Sequence, residues 1–135
     1  MTTQIFVNLP VKDLDRSVAF FKRLGFNFNP QFTDENATCM VVADNIFVML
    51  LVEKYFSTFT PRAISDAHTR SEVIVSLSAE SRAEVDARVD EALQAGGSPS
   101  SPTQDMGWMY TRGFADPDGH LWELAYMDLS AMEQG

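Results

Sequence analysis

A pattern of strand, helix and three strands is written twice in this chain, and that repetition constrains the fold more than any single motif. In the first copy, Ile5-Phe6-Val7-Asn8-Leu9 is a strand candidate stopped by Pro10, and Asp13 is placed to cap a helix from about Leu14 to Leu24. Leu14, Val18, Phe21 and, on the flank, Leu24 recur at helical spacing, while Arg16, Lys22 and Arg23 face water. Gly25 stands where a left-handed residue ends a helix. Strand-like runs follow at Phe26–Phe32, Ala37–Val42 and Ile46–Val52, separated by the turn chemistry of Asp34-Glu35-Asn36 and Asp44-Asn45.

The second copy opens on the alternation of Val73, Val75 and Leu77. Ser81-Arg82-Ala83-Glu84 matches a capping box, in which the serine accepts an early backbone N–H and the glutamate reaches back to the serine's own N–H. Val85, Val89, Ala92 and Leu93 carry the helix to Gly96-Gly97. The Ser/Pro-rich passage Ser98–Pro102 leaves room for a short strand near Thr103–Met106, before strands at Trp108–Ala115 and Leu121–Met127 joined by Asp116-Pro117-Asp118-Gly119. The expected organisation is a single domain over 1–135. Its first module covers 4–53, a connecting loop 54–70, the second module 71–128, and a polar tail expected to fray 129–135. The expected fold class is α+β, two βαβββ modules forming a cleft-bearing curved sheet. Neither copy alone buries both faces of its sheet, so two sheets curling toward each other enclose a half-barrel cleft, with each helix covering an outer face.

Composition narrows the function classes. With 10 basic and 19 acidic residues the formal charge is −9, and no basic patch offsets it, so nucleic acid and anionic membranes are poor partners. A cationic or neutral small molecule suits that field better. Cys39 is the only cysteine, which excludes an intrachain disulfide. The longest apolar run is Ile46–Val52, far short of the ~20 residues of a membrane span. Met1-Thr2-Thr3-Gln4 lacks the basic and apolar start of a signal peptide, and the expected location is the cytoplasm.

Two segments carry a resemblance. Leu9-Pro10-Val11-Lys12-Asp13-Leu14 through Phe20-Phe21 to Leu24-Gly25-Phe26 resembles the opening of the vicinal oxygen chelate superfamily. That superfamily holds glyoxalase I, extradiol dioxygenases, fosfomycin-resistance enzymes and bleomycin-binding proteins. Phe114-Ala115-Asp116-Pro117-Asp118-Gly119-His120-Leu121-Trp122-Glu123-Leu124 resembles its closing motif. In metal-using members the ligands are inward-facing residues on the first and last strand of each module. The resemblance places these positions on Phe6, Met49, Glu72 and Glu123, with Met49 taken from superposing the two turns. Two of the four are apolar and cannot bind a divalent ion. Nickel, zinc, iron or manganese chemistry wants three or more N/O ligands from the protein. Two carboxylates, with Asn8 on the same face as Phe6, would hold a hard cation weakly. No cofactor is expected, and a divalent metal at Glu72 and Glu123 stays open.

Glu72 and Glu123, if they share the cleft, are like charges in a partly desolvated place, where at least one pKa rises as a general acid or base requires. The competing reading is that they are solvated or paired with Arg70 or Arg112. His120 reads as a turn residue, and His68 either lines the cleft mouth or is exposed. Cys39 reads as a buried inert thiol. Phe6, Asn8, Met49, Phe56, Trp108 and Tyr110 are the candidate ligand-binding residues; some of Trp108, Met109, Tyr110 and Trp122 are expected to form an apolar wall, closed by Phe56 and Phe59 from the mid-chain loop. Three functions follow: small-molecule binding of the bleomycin-resistance kind without a tight metal, a glyoxalase-like lyase or isomerase with Glu123 and Glu72 as catalytic groups, or a metabolite-binding accessory module. A homodimer is expected in each case.

Overall fold

A computed structural model describes the backbone of residues 3–134 and the side chains of residues 3–131; Met1, Thr2 and Gly135 lie outside the described residues. The strands and helices are β1 (Ile5–Val11), α1 (Leu14–Arg23), β2 (Asn27–Asn29), β3 (Ala37–Ala43), β4 (Ile46–Val52), α2 (Glu53–Phe56), β5 (Ile74–Ser78), α3 (Arg82–Gln94), β6 (Ser98–Pro99), β7 (Gln104–Asp105), β8 (Met109–Ala115), β9 (Leu121–Met127) and α4 (Leu129–Gln134). The class is α+β, and the chain divides into two compact units, the first ending at Ser65 and the second starting at Asp66.

In the first unit the sheet order is β1-β4-β3-β2, with β1 parallel to β4 and the other pairs antiparallel. Alternation decides its faces. Leu9 and Val11 of β1, Val48 and Leu50 of β4 and Met40 of β3 are buried together with Phe20 and Phe21 of α1. Asp13, in extended conformation, accepts from the Arg16 N–H at 3.1 Å and so starts α1. The helix ends with Gly25 at φ +98°, its N–H on Lys22 O and the Phe26 N–H on Phe21 O, which satisfies two terminal carbonyls.

The second unit repeats the plan: β5 runs parallel to β9, β8 pairs antiparallel with β9, and both β6 and β7 pair with β8. Val85, Val89 and Ala92 of α3 are buried, as are Phe114, Trp122 and Leu124 of the sheet. Gly96, at φ +117°, ends α3 as Gly25 ends α1, with the Gly97 N–H on Ala92 O.

Five expectations need correction. The run Phe26–Phe32 is a strand only over Asn27–Asn29; Pro30 has no N–H to continue the ladder, and a 3-10 turn over Pro30–Phe32 follows, its Gln31 N–H held by Asn29 Oδ1. The connection after β4 begins with a short helix, α2, and the tail contains α4. The Ser81 side chain does accept from the Glu84 N–H at 3.0 Å, but Glu84 Oε2 accepts from the Glu80 N–H, one residue before the cap. The Ser/Pro-rich passage, expected to allow one short strand, pairs at both its ends, as β6 and β7.

Candidate functional site

Strand alternation that buries one face of each sheet against its helix places a second set of side chains on the other face. In the first unit that set includes Phe6, Asn8 and Met49. Phe6 lies opposite Phe47, the two rings stacked 4.9 Å apart, and Asn8 lies opposite Met49. Phe6 is 49% exposed, a large area for an aromatic on a strand. Cys39, paired with Met49 on the other side, is buried, and burial pushes its thiol up, away from the reactive thiolate.

In the second unit the corresponding set is built around Glu123. Trp122 and Leu124 point to the core, so Glu123 points the other way, between Ser76 of β5 and Gly113 of β8. Beside it is a pocket of about 180 Å³ lined by Ile74, Ser100, Ser101, Leu121, Trp122 and Glu123. The carboxylate is half-buried and has no hydrogen-bond or ion-pair partner among the described residues. Arg112, the one cation on β8, does not serve it. Arg112 reaches the other face, 2.9 Å from Asp86 and 3.0 Å from Asp90 of α3.

The other candidates fall in several places. Glu72 is exposed, precedes β5 and is not among the residues lining the Glu123 pocket. Aligning the units by register matches Asn8–Met49 with Ser76–Glu123, so Phe6 corresponds to Ile74 rather than to Glu72. Tyr110 is on the helix side: its hydroxyl donates to Asp86 Oδ1 at 2.7 Å, and Arg82 lies 4.8 Å over its ring. That corrects its assignment to a binding wall shared with Glu123, because even-numbered residues of β8 face α3. The Asp86 bond holds the Tyr110 hydroxyl above its ordinary pKa and the Asp86 carboxyl below its own. Trp108 precedes β8, half-buried, its carbonyl accepting from the Asp128 N–H. Phe56 ends α2 in the first unit, half-buried, next to an exposed pair in which the rings of Tyr55 and Phe59 meet edge to face at 5.1 Å.

His120 sits in a structural turn. Asp116 Oδ1 accepts from the Asp118 and His120 N–H groups, and Asp116 Oδ2 from Trp122 Nε1 at 3.0 Å. Burial pushes the Asp116 carboxyl up against the pull of His120 and these donors. His68 is exposed and packs on that turn, so close that a Cβ on Gly119 would lie 2.7 Å from its backbone nitrogen. Sequence reasoning missed Ser76, Ser100, Ser101 and Gly113. Ser76 and Gly113 were reachable by following the alternation of their strands to the other face; Ser100 and Ser101 lie where no periodicity runs.

The donors of each unit fit a tight divalent ion poorly. Glu123 is a lone carboxylate among hydroxyls and apolar groups, Phe6, Asn8 and Met49 offer one amide and a thioether, and no group of three His, Cys, Asp or Glu side chains among the described residues is arranged to hold a metal. No described helix is long and apolar enough to cross a membrane.

Comparison with known proteins agrees with the architecture. Residues 3–43 match the family model for the bleomycin resistance protein-like N-terminal region. No curated protein matches the sequence. A hypothetical protein from S. aureus is 29% identical, with 93% of this chain and 95% of that chain covered and a TM-score of 0.78. A glyoxalase-related enzyme from Fulvimarina pelagi is 19% identical over 93% and 88%, with a TM-score of 0.77. The fosfomycin resistance protein FosX from Mesorhizobium loti is 14% identical over 98% of each chain, with a TM-score of 0.70. The chain thus has the glyoxalase/bleomycin-resistance fold, and its residues 3–43 carry the sequence pattern of the bleomycin resistance protein-like N-terminal family.

Proposed function

We propose that this protein binds a small molecule without the superfamily's tight metal site, and that Glu123 meets a cationic or hydrogen-bond-donating group of that ligand. The observation that carries the reading is the Glu123 carboxylate: half-buried, without a partner among the described residues, and flanked by apolar Ile74 and Leu121 and by serine hydroxyls. A carboxylate in partly desolvated surroundings gains from a cation more than an exposed one does. In the first unit, the stacked Phe6 and Phe47 with Asn8 and Met49 supply an apolar surface with one polar handle, the usual makeup of a ligand wall. The protein works as a homodimer in this reading.

A second reading, a metal-dependent lyase or isomerase on a small oxygenated substrate, is favoured by fold neighbours named as a glyoxalase-related enzyme and as fosfomycin resistance proteins. The experiment is a thermal-shift screen of cationic and neutral small molecules, run beside elemental analysis after nickel, zinc, manganese and iron loading and desalting. The binding reading expects ligand stabilisation that falls about tenfold or more in apparent affinity in Glu123→Gln, with substoichiometric metal. Near-stoichiometric metal lost in Glu123→Gln, together with turnover, sinks it in favour of the enzyme.

A further inference from the structure

The Glu123 pocket has one wall that belongs to neither β5 nor β9. Ser98 and Pro99 pair with Ala115 and Phe114, and Gln104 and Asp105 pair with Thr111 and Tyr110. Between these anchors, residues 100–103 face only residues 112–113 of β8, so the segment bulges as a strap across the strand. Its far end is held by Arg82, whose guanidinium forks onto both Asp105 oxygens at 2.8 Å and onto Gly107 O at 3.1 Å.

Gly113 explains where the strap lies. A Cβ there would be 2.6 Å from Ser100 Oγ, 3.1 Å from Trp122 O and 3.3 Å from Ser101 Oγ. The glycine has no positive φ, so what it supplies is room for close approach rather than an unusual conformation. That room lies directly beside Glu123, with which Gly113 is paired in register. Neither serine hydroxyl has a partner among the described residues. The volume of about 180 Å³ holds about six waters' worth of matter, enough for a head group and a stub of chain.

We propose that Ser100 and Ser101 are ligand-contacting residues that accept hydrogen bonds from an ammonium or guanidinium head group seated on Glu123, and that Gly113 admits them to the site. The inference rests on the reading of Glu123 as a ligand-binding carboxylate and adds the wall that selects the head group. Hydroxyls share the several N–H donors that one carboxylate leaves unsatisfied, so an amine is preferred over an alcohol of the same size.

The test titrates the full chain with n-butylammonium and, as an uncharged control, n-butanol, at constant ionic strength, following backbone amide NMR signals. In the wild type n-butylammonium shifts Ser100, Ser101, Gly113 and Glu123 saturably, and n-butanol does not. A double variant, Ser100→Ala with Ser101→Ala, keeps the dispersed spectrum and weakens n-butylammonium about tenfold. Gly113→Ala weakens it at least as much although both hydroxyls remain. Unchanged affinity in the double variant, with binding abolished in Glu123→Gln, overturns the strap assignment and leaves the Glu123 reading standing. Equal binding in wild type and Glu123→Gln, or no binding of n-butylammonium, overturns both.

Discussion

The two modules share a packing plan and differ in what they do with the other face of the sheet. Met49 and Glu123 are equivalent by register, as are Asn8 and Ser76, and Cys39 and Gly113. In the first module Cys39 fills its position with a buried side chain. In the second, Gly113 leaves that space empty, and Ser100 and Ser101 of the strap enter it. The helix-facing residues had to stay apolar in both, because burial of Phe20, Phe21 and Met40, or of Phe114 and Trp122, stabilises each module by about 1.5–3 kcal/mol per side chain. The opposite face is buried only in part, at Ala37, Cys39 and Leu51 of the first module, and there a thiol and a thioether stand where the second module has a gap and a carboxylate.

The helices differ in the same way. In α1 the buried face meets the sheet through the aromatics Phe20 and Phe21. In α3 an apolar line of Val85 and Val89 is joined by Asp86 and Asp90, which hold Tyr110 and Arg112 of β8. The second module therefore fixes β8, the strand that carries Gly113, with ion pairs as well as packing.

The largest effects test the shared plan. Phe21→Ala in the first module and Trp122→Ala in the second each remove a side chain only 1% exposed, and each is expected to cost about 3–5 kcal/mol in urea denaturation. Trp122→Ala should be the worse of the two, since it also strips a donor from buried Asp116. A loss below about 1 kcal/mol in either would show that the face is not the core described.

Arg112→Ala probes the difference between the helices. Its carboxylate partners are half-exposed, so solvent screens the pairs and the expected loss is only about 1 kcal/mol, measured by denaturation at low and high salt. A cost that does not shrink with salt would point to packing of the arginine stem instead.

The smallest effect is one of pH. Asp105 is held well below the usual carboxylate range, first by the Arg82 fork and then by the Gly107 N–H, and Asp86 is lowered first by Tyr110. A carboxylate whose folded pKa is depressed contributes stability above its unfolded pKa of about 4, lost as pH falls through the folded value. Amide protection factors of β7 and β8, with the intrinsic pH dependence of exchange taken out, should therefore fall below about pH 4, and Arg82→Gln should lower them already at neutral pH and flatten the acid response. Identical exchange profiles for the variant and the wild type would remove the clamp's role in holding the strap.

Much of the architecture was legible because its signals are local. Asp13, Gly25, Ser81 and the Asp116–Gly119 turn each act within a few residues, and all four sit in the turns and caps expected of them. The strand limits of β4 and β9 follow the apolar runs for the same reason. Less of the candidate site was legible. Tyr110 looked like a neighbour of Glu123 because both lie on the closing strands; a side-chain period of two, once anchored by register, sends them to opposite faces.

What the sequence determined by itself is the repeat, the caps and the apolar faces, since periodicity and capping are settled by neighbours along the chain. Only the tertiary structure decided that Glu123 stands between Ser76 and Gly113, that Arg112 turns away from it, and that Ser100 and Ser101 come beside it. Those relations join residues distant in sequence through strand register and through the space left by a missing Cβ, and neither leaves a pattern that can be read along the chain.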